Sequence, residues 1–493
     1  MDGEHADALH VAREESATAA REMAEAAVAD GARGCARMAN LGAAGKHASN
    51  IERDLHRMSA SCVGAKISLY PVMTQKRTRG SLAEQNAVHD VLLPREFFGL
   101  LWKTRRDMFH KIMGTDKCAE YWQRMRTAGQ AWYRQHPSRA EIEAHGGQDH
   151  VPGRIFGDDG HVGKNRKIRI VHWCSVVTDM MTRKTRFPTF VLPAEVSLGA
   201  KTEKPLWEVL VWSWRVAACG VWPARDHLDR PFQGWRARLA GTAIAGPCKL
   251  IYTQLLADWA FLVASLKLEY NWSTEQMRHL CAACKSGPLN YACFDDDAPY
   301  LAAPRSSSDY MNSAAAAESP VTALPGFHLE TVVVDVMHAV PLGIGLFASG
   351  STLLELCREG RFGLRPEATE WKDKLNLQLD CAYQEFRRFC RARGLCCSQP
   401  RFTSGRLSML KKKTWPMLKA KAWNNMCVLD WLARVASETA GENEYHRDRA
   451  AMLWGFSRSH GLLRGCGAWL GDDVAALTQA RNAMLRCCNS LAL

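Results

Sequence analysis

The chain has 493 residues, with 64 Lys and Arg against 51 Asp and Glu and a formal net charge of +13. At about 100–200 residues per domain, this length suits two to four domains and a sizeable core. Hydrophobic residues make up 47% and charged residues 23%, which excludes a wholly disordered or collagen-like chain, and the basic excess favours a polyanionic partner.

Residues 1–48 are rich in Ala, Glu and Arg without a bulky apolar stripe, and read as a flexible or helical arm. This end carries no apolar secretion signal, and the 18 cysteines are scattered, so an intracellular protein with free thiols is expected. Region 49–150 reads as basic and helical. FFGLLWKTRRDMFHKIM (97–113) and CAEYWQRMRTAGQAWYRQH (118–136) place apolar residues at helical spacing with Arg and Lys opposite, either a solvated face or one for phosphates.

From 151 the period changes. VPGRIFGDDG predicts a strand ending in a glycine turn, and IRIVHWCSVV (168–177) and RFPTFVLP (186–193) add two strands of a meander. EKPLWEVLVWSWRVAACG (203–220) predicts a helix closed by Gly220, and CKLIYTQLLADW (248–259) reads as strand or helix, a buried strand entering Asp258 being favoured. Strand, strand, strand, helix, strand is the order of a ribonuclease-H-like core, here 151–262. Region 263–400 reads as an insertion containing a cysteine pair, a Ser/Ala/Pro-rich mobile loop (303–325), strand-like HLETVVVDV (328–336) and an apolar run after His338. That run is shorter than the roughly 18–20 residues of a membrane span, so no membrane partner is expected. Region 401–493 reads as helices closing the core. The expected class is α/β: a ribonuclease-H-like mixed sheet with a helical insertion, a helical N-terminal region and a helical C-terminal part.

Asp159 ends the first strand and Asp258 the fourth. In such a sheet these strands are neighbours, and converging carboxylates suit Mg or Mn, hard cations that take oxygen ligands. Asp158 is the rival for the first position. Cys281-Ala-Ala-Cys284 puts two thiolates within reach of one zinc, with Cys293, His279, His338 and Cys427 as candidate partners and buried free thiols as the alternative. Asp335-Val-Met-His338 follows a strand-like run. Asp335 reads first as a helix cap, with metal binding or backbone orientation as alternatives. Lys411, Lys412, Lys413, Lys419 and Lys421, interleaved with Trp415 and Trp423, match a nucleic-acid surface, against a solvated lysine cluster beside two core tryptophans.

Three blocks, in order, resemble the transposase of plant CACTA (En/Spm-type) DNA transposons. They are Phe156-Gly-Asp-Asp159-Gly160, then Asp258-Trp-Ala with Asn271-Trp-Ser-Thr274 and His279-Leu-Cys281-Ala-Ala-Cys284, then Val334-Asp335-Val-Met-His338. With PGFH before the last block and LG after it, the set also resembles transposon-derived open reading frames expanded in dinoflagellate genomes. The resemblance spans about 150–460. It implies a DDE-type core with Asp159 and Asp258 as catalytic, metal-holding acids for Mg or Mn, and Cys281 and Cys284 as a zinc pair. It further implies DNA as partner and a nuclear location, and leaves a homo-oligomer open. Two departures stand out. Lys421-Ala-Trp423-Asn-Asn-Met426 occupies the place of the family's zinc-binding histidines, and AAMLWGFSRSHGLL (450–463) holds no acid where the third is expected. Glu438, Glu442 and Glu444 lie upstream. Two readings follow: a transposase, or a catalytically silent relative that keeps the fold and binds DNA or a partner.

Overall fold

The computed structural model describes residues 68–77, 83–162, 166–180, 185–268, 306–364, 368–409, 415–465 and 473–492, with a few isolated positions besides. The arm expected at 1–48 therefore lies, isolated positions aside, outside the described residues, as do Cys281, Cys284 and Lys411–Lys413.

The first element corrects the helical reading of 49–150. Tyr70–Arg77 (β1) and Glu84–Val91 (β2) form an antiparallel hairpin with Tyr70 opposite Val91. In β1 the side chains of Tyr70, Val72 and Thr74 turn inward and those between them outward, the two-residue period of a strand with one buried face. Helices begin at Pro94, where the missing amide hydrogen costs nothing: Pro94–Thr104 (α1), Arg106–Met113 (α2) and Cys118–Thr127 (α3). Gly114 closes α2 at φ 60°, and a Cβ there would meet the Val177 carbonyl oxygen at 2.6 Å, so backbone and packing both require glycine.

The meander forms, from His150–Val162 (β3), Arg166–Ser175 (β4) and Phe187–Pro193 (β5), but β3 does not end at Asp159 in a glycine turn: it runs on through Gly160 to Val162, paired with β4. Ala200–Cys219 (α4) follows and ends at Gly220, φ 77°. Lys249–Ala257 (β6) runs parallel to β3, and Val332–Val334 (β7) parallel to β6, giving one five-stranded mixed sheet in the order β5-β4-β3-β6-β7. β7 is shorter than its sequence run because Leu329–Thr331 coils into a 3-10 turn capped by His328. One face of the sheet is covered by α4, whose Trp207 and Trp214 meet Phe190 and Trp173 edge-on. The mobile loop expected at 303–325 is instead, from 306 onward, a pair of short helices, Ser307–Met311 and Ala314–Glu318. Ser306 and Ser313 cap them, each accepting a hydrogen bond from the third amide beyond it.

After β7 the chain builds a second core from helices Gly345–Arg358 (α5), Trp371–Ala392 (α6), Ala422–Thr439 (α7), Glu444–Gly465 (α8) and Asp473–Ala492 (α9). Phe386 of α6 lies 5.6 Å from Trp431 of α7, so the boundary drawn at 400 cuts through one core. These helices pack on one another around their own apolar centre. The apolar run after His338 is also longer than it reads in sequence. Val336–Arg358 is a 23-residue helical stretch, long and apolar enough by length and composition to cross a membrane, and 56% of its apolar window is buried. Non-helical angles at Gly343 kink it.

Candidate metal centre

The parallel pairing of the neighbouring strands β3, β6 and β7 stops at one level, while β3 itself runs on to Val162 against β4. Gly157 pairs with Ala257 and Ala257 with Val334, so the residues that follow, Asp158, Asp258 and Asp335, stand side by side. A strand sends successive side chains to opposite faces, which decides between the two acids of β3. Asp158 turns to the face of Phe156, toward Asp258. Asp159 turns to the other face, opposite Arg169 in the ladder, and that guanidinium grips it at 2.9 and 3.0 Å. Arg169 also donates to Glu203 at 2.6 Å. Burial pulls its pKa down, but the hydrogen bonds with Asp159 and the charge of Glu203 outweigh that and leave it raised. The first-acid assignment is thereby corrected: alternation commits Asp159 to an ion pair and brings its rival Asp158 to the cluster.

Asp258 caps Trp259–Leu266 (α10), its Oδ1 accepting from the Phe261 amide at 2.7 Å. The packing of α10 on β3 requires Gly157, since a Cβ there would fall 2.1 Å from the Phe261 ring. Asp335 caps the one-turn helix Val336–Ala339 as expected, with Oδ1 taking the Met337 amide at 2.9 Å. Its Oδ2 lies 3.0 Å from Nδ1 of His338. A carboxylate only accepts, so Nδ1 carries the proton and Nε2 presents its lone pair.

Asp158, Asp258 and His338 each offer one ligand atom, and these atoms lie within 4.8 Å of one another. All three side chains are partly buried. Burial pushes the Asp158 carboxyl up. His338 pulls it down, and Asp258, Asp159 and Asp335 push it further up. Beside the cluster Arg186 lies 4.2 Å over the Phe156 ring, and farther back along β3 Arg154 donates from Nε to Cys174. Both arginines keep His172 neutral, its pKa lowered to about 3 by burial first and then by their charges.

The donor set, two carboxylates and an oriented imidazole, fits a divalent cation, and the imidazole shifts preference from Mg toward a transition ion such as Mn. No acid from the C-terminal helices joins it among the described residues. Glu438 pairs with Arg434 at 2.8 Å and Arg361 at 3.8 Å, and Glu442 and Glu444 are exposed at the turn between α7 and α8. The third place is filled by His338, whose signal in the sequence was the spacing Asp-x-x-His directly after a strand.

The zinc pair Cys281 and Cys284, with His279 and Cys293, lies outside the described residues. Cys427, offered as their partner, is buried in the second core beside Cys397, whose thiol pKa is lowered first by the Cys427 hydrogen bond. Lys419 and Lys421 are exposed. Trp415 is 82% exposed and Trp423 37%, so the alternative that made them core tryptophans is corrected. Where the resembled family has histidines, Asn425 is buried and donates to the Pro341 carbonyl at 2.8 Å while accepting from Ser349. No protein-family model matches the chain, and a search of curated proteins finds no significantly similar sequence.

Proposed function

We propose that the sheet is ribonuclease-H-like and that the protein is transposon-derived, related to DDE transposases. In this reading it binds DNA in the nucleus and cuts or joins phosphodiester bonds with a divalent cation, Mg or Mn, held by Asp158, Asp258 and His338. One observation carries the reading. The first and fourth strands of the sheet are parallel neighbours, each with a carboxylate directly after their last mutual pair, and the residues after the next strand bring an imidazole to the same point. The strand order, an antiparallel meander flanked by two parallel strands, supports it.

A bound cation polarises a phosphoryl oxygen and lowers the pKa of attacking water. The chain's own residues prepare that chemistry. Asp258 is held in one rotamer by its cap, Asp335 accepts from Nδ1 of His338 and so aims Nε2, and Arg186 sets positive charge beside the carboxylates for a phosphate. Asp159 is a positioning residue, fastening the end of β3 through Arg169 to Glu203 on α4. Exposed Lys419, Lys421, Trp415 and Trp423 suit the backbone and bases of DNA.

The absence of a glutamate from the cluster, among the described residues, favours the second reading, a silent relative that only binds. Nicking of labelled DNA in Mn or Mg separates the two. Cleavage lost in Asp158→Ala and Asp258→Ala but retained in Asp159→Ala is the expected result. Salt-sensitive binding without cleavage by any form establishes the silent relative, and cleavage undiminished in all three variants places the activity elsewhere.

A further inference from the structure

A cavity of about 1070 Å³ opens between α1 and the segment that joins α4 to β6. Ile244 and Gly246 in its wall lie just before β6 begins, whereas Asp258 follows its end. A strand of nine residues spans about 30 Å, so this cavity is separate from the acid and imidazole cluster.

Its lining joins two chemistries. Phe97, Trp102, Trp222 and Trp235 give it aromatic walls, and Lys103, Arg106 and Arg238 bring positive charge to the same space. Trp235 is 39% exposed, meets Trp222 at 6.3 Å nearly edge-on and carries the Arg236 guanidinium 4.6 Å from its ring centroid, so its exposed part borders both an aromatic and a cationic group. Arg106 sits 4.2 Å over the Trp102 ring. The one carboxylate in the lining, Glu96, is neutralised by Arg236 at 2.9 and 3.0 Å, and nearby Asp107 is taken by Arg105. Among the described residues, none lies within ion-pair distance of Lys103, Arg106 or Arg238, so their charge is available to a ligand.

The walls are fixed before any ligand arrives. A Cβ on Gly99 of α1 would stand 2.9 Å from the Ile244 carbonyl oxygen, and one on Gly246 2.4 Å from the Trp102 ring. Helix and segment thus meet at two glycines with no room to slide. Fixed aromatic walls beside unneutralised cations are what a flat ring carrying an anionic group requires.

We propose that this cavity binds a nucleobase together with its phosphate, supplied by a free nucleotide or by an unpaired base of a DNA strand. The assignment does not depend on the cation reading of Asp158, Asp258 and His338. Base stacking on one aromatic side chain is typically worth roughly five- to 150-fold in affinity. Each cation that neutralises a phosphate of a single strand adds about 0.7 to the salt slope.

The test titrates the full chain with deoxyadenosine monophosphate by calorimetry, and with labelled single-stranded oligodeoxyadenylate by anisotropy over a salt series. Trp235→Ala is expected to weaken binding at least about fivefold. A Lys103→Ala, Arg106→Ala double variant is expected to flatten the oligonucleotide's salt slope by about 1.4. Saturable mononucleotide binding lost in Trp235→Ala identifies a free nucleotide as the source. Binding of the oligonucleotide alone, with both variant effects, identifies a strand. Circular dichroism and melting confirm that the variants fold. Affinities unchanged in a folded Trp235→Ala protein, or no binding of either probe, overturn the proposal.

Discussion

Asp158 and Asp159 differ by one position and by everything around them. One faces a partly buried cluster of carboxylates and an imidazole, the other a guanidinium. Because the Asp158 pKa is raised in the folded protein, the native state holds its proton more tightly than the unfolded chain does. That contribution to stability is complete below the ordinary carboxyl range and is lost as pH rises through the raised value. The ionised cluster therefore opposes folding at neutral pH when no cation is bound. Asp158→Asn, which keeps the shape and removes the charge, is expected to melt higher than the natural protein at pH 7 in chelator and to match it near pH 3. Added Mn should raise the melting temperature of the natural protein and leave the variant unmoved. The doublet itself was legible in the sequence, but which acid serves the cluster was not. That depends on the register against β4, which places Arg169 opposite Asp159.

At the scale of elements, β4 and β5 announced themselves through β-branched and aromatic runs, and Gly220 marked the end of α4, because in these segments local preference and tertiary packing agree, whereas the leucine-rich run of β6 read as strand or helix. The β1–β2 hairpin escaped because its second strand, EQNAVHDV, is largely exposed and polar, so its pairing with β1 rather than its composition makes it a strand. The helices at Ser307 and Ala314 escaped because Ser before Ala reads as loop until the serine is seen as a cap. Asn425 was read only as a missing ligand. It is a clasp between α5, α7 and the kinked turn, bonding the Ser349 hydroxyl and the Pro341 carbonyl. Asn425→Ala leaves both without that partner in a dry interior, and a loss of about 1–3 kcal/mol is expected in urea denaturation.

The described residues form two apolar cores, one under the sheet and one among α5 to α9, joined by the short chain from β7 through His338. Sequence patterns located both sets of apolar residues but gave no sign that the last helices would pack on each other, since amphipathic faces do not name their partners. Phe386→Ala, which empties a ring beside Phe402 and Trp431, is expected to cost about 3–5 kcal/mol. Calorimetry should show a helical-body transition that moves down while the sheet transition stays. The joint has its own logic. β7 is held to β6 by three residue pairs, the shortest ladder in the sheet, and it lies at the edge. Short edges fray at a small fraction of the free energy of global unfolding. Asp335 and His338 hang from that edge, so the cluster can come apart and reassemble while both cores stay folded. Occupancy of the cluster and order of the edge are then two sides of one equilibrium, and whatever steadies the edge also sharpens the grip on an ion.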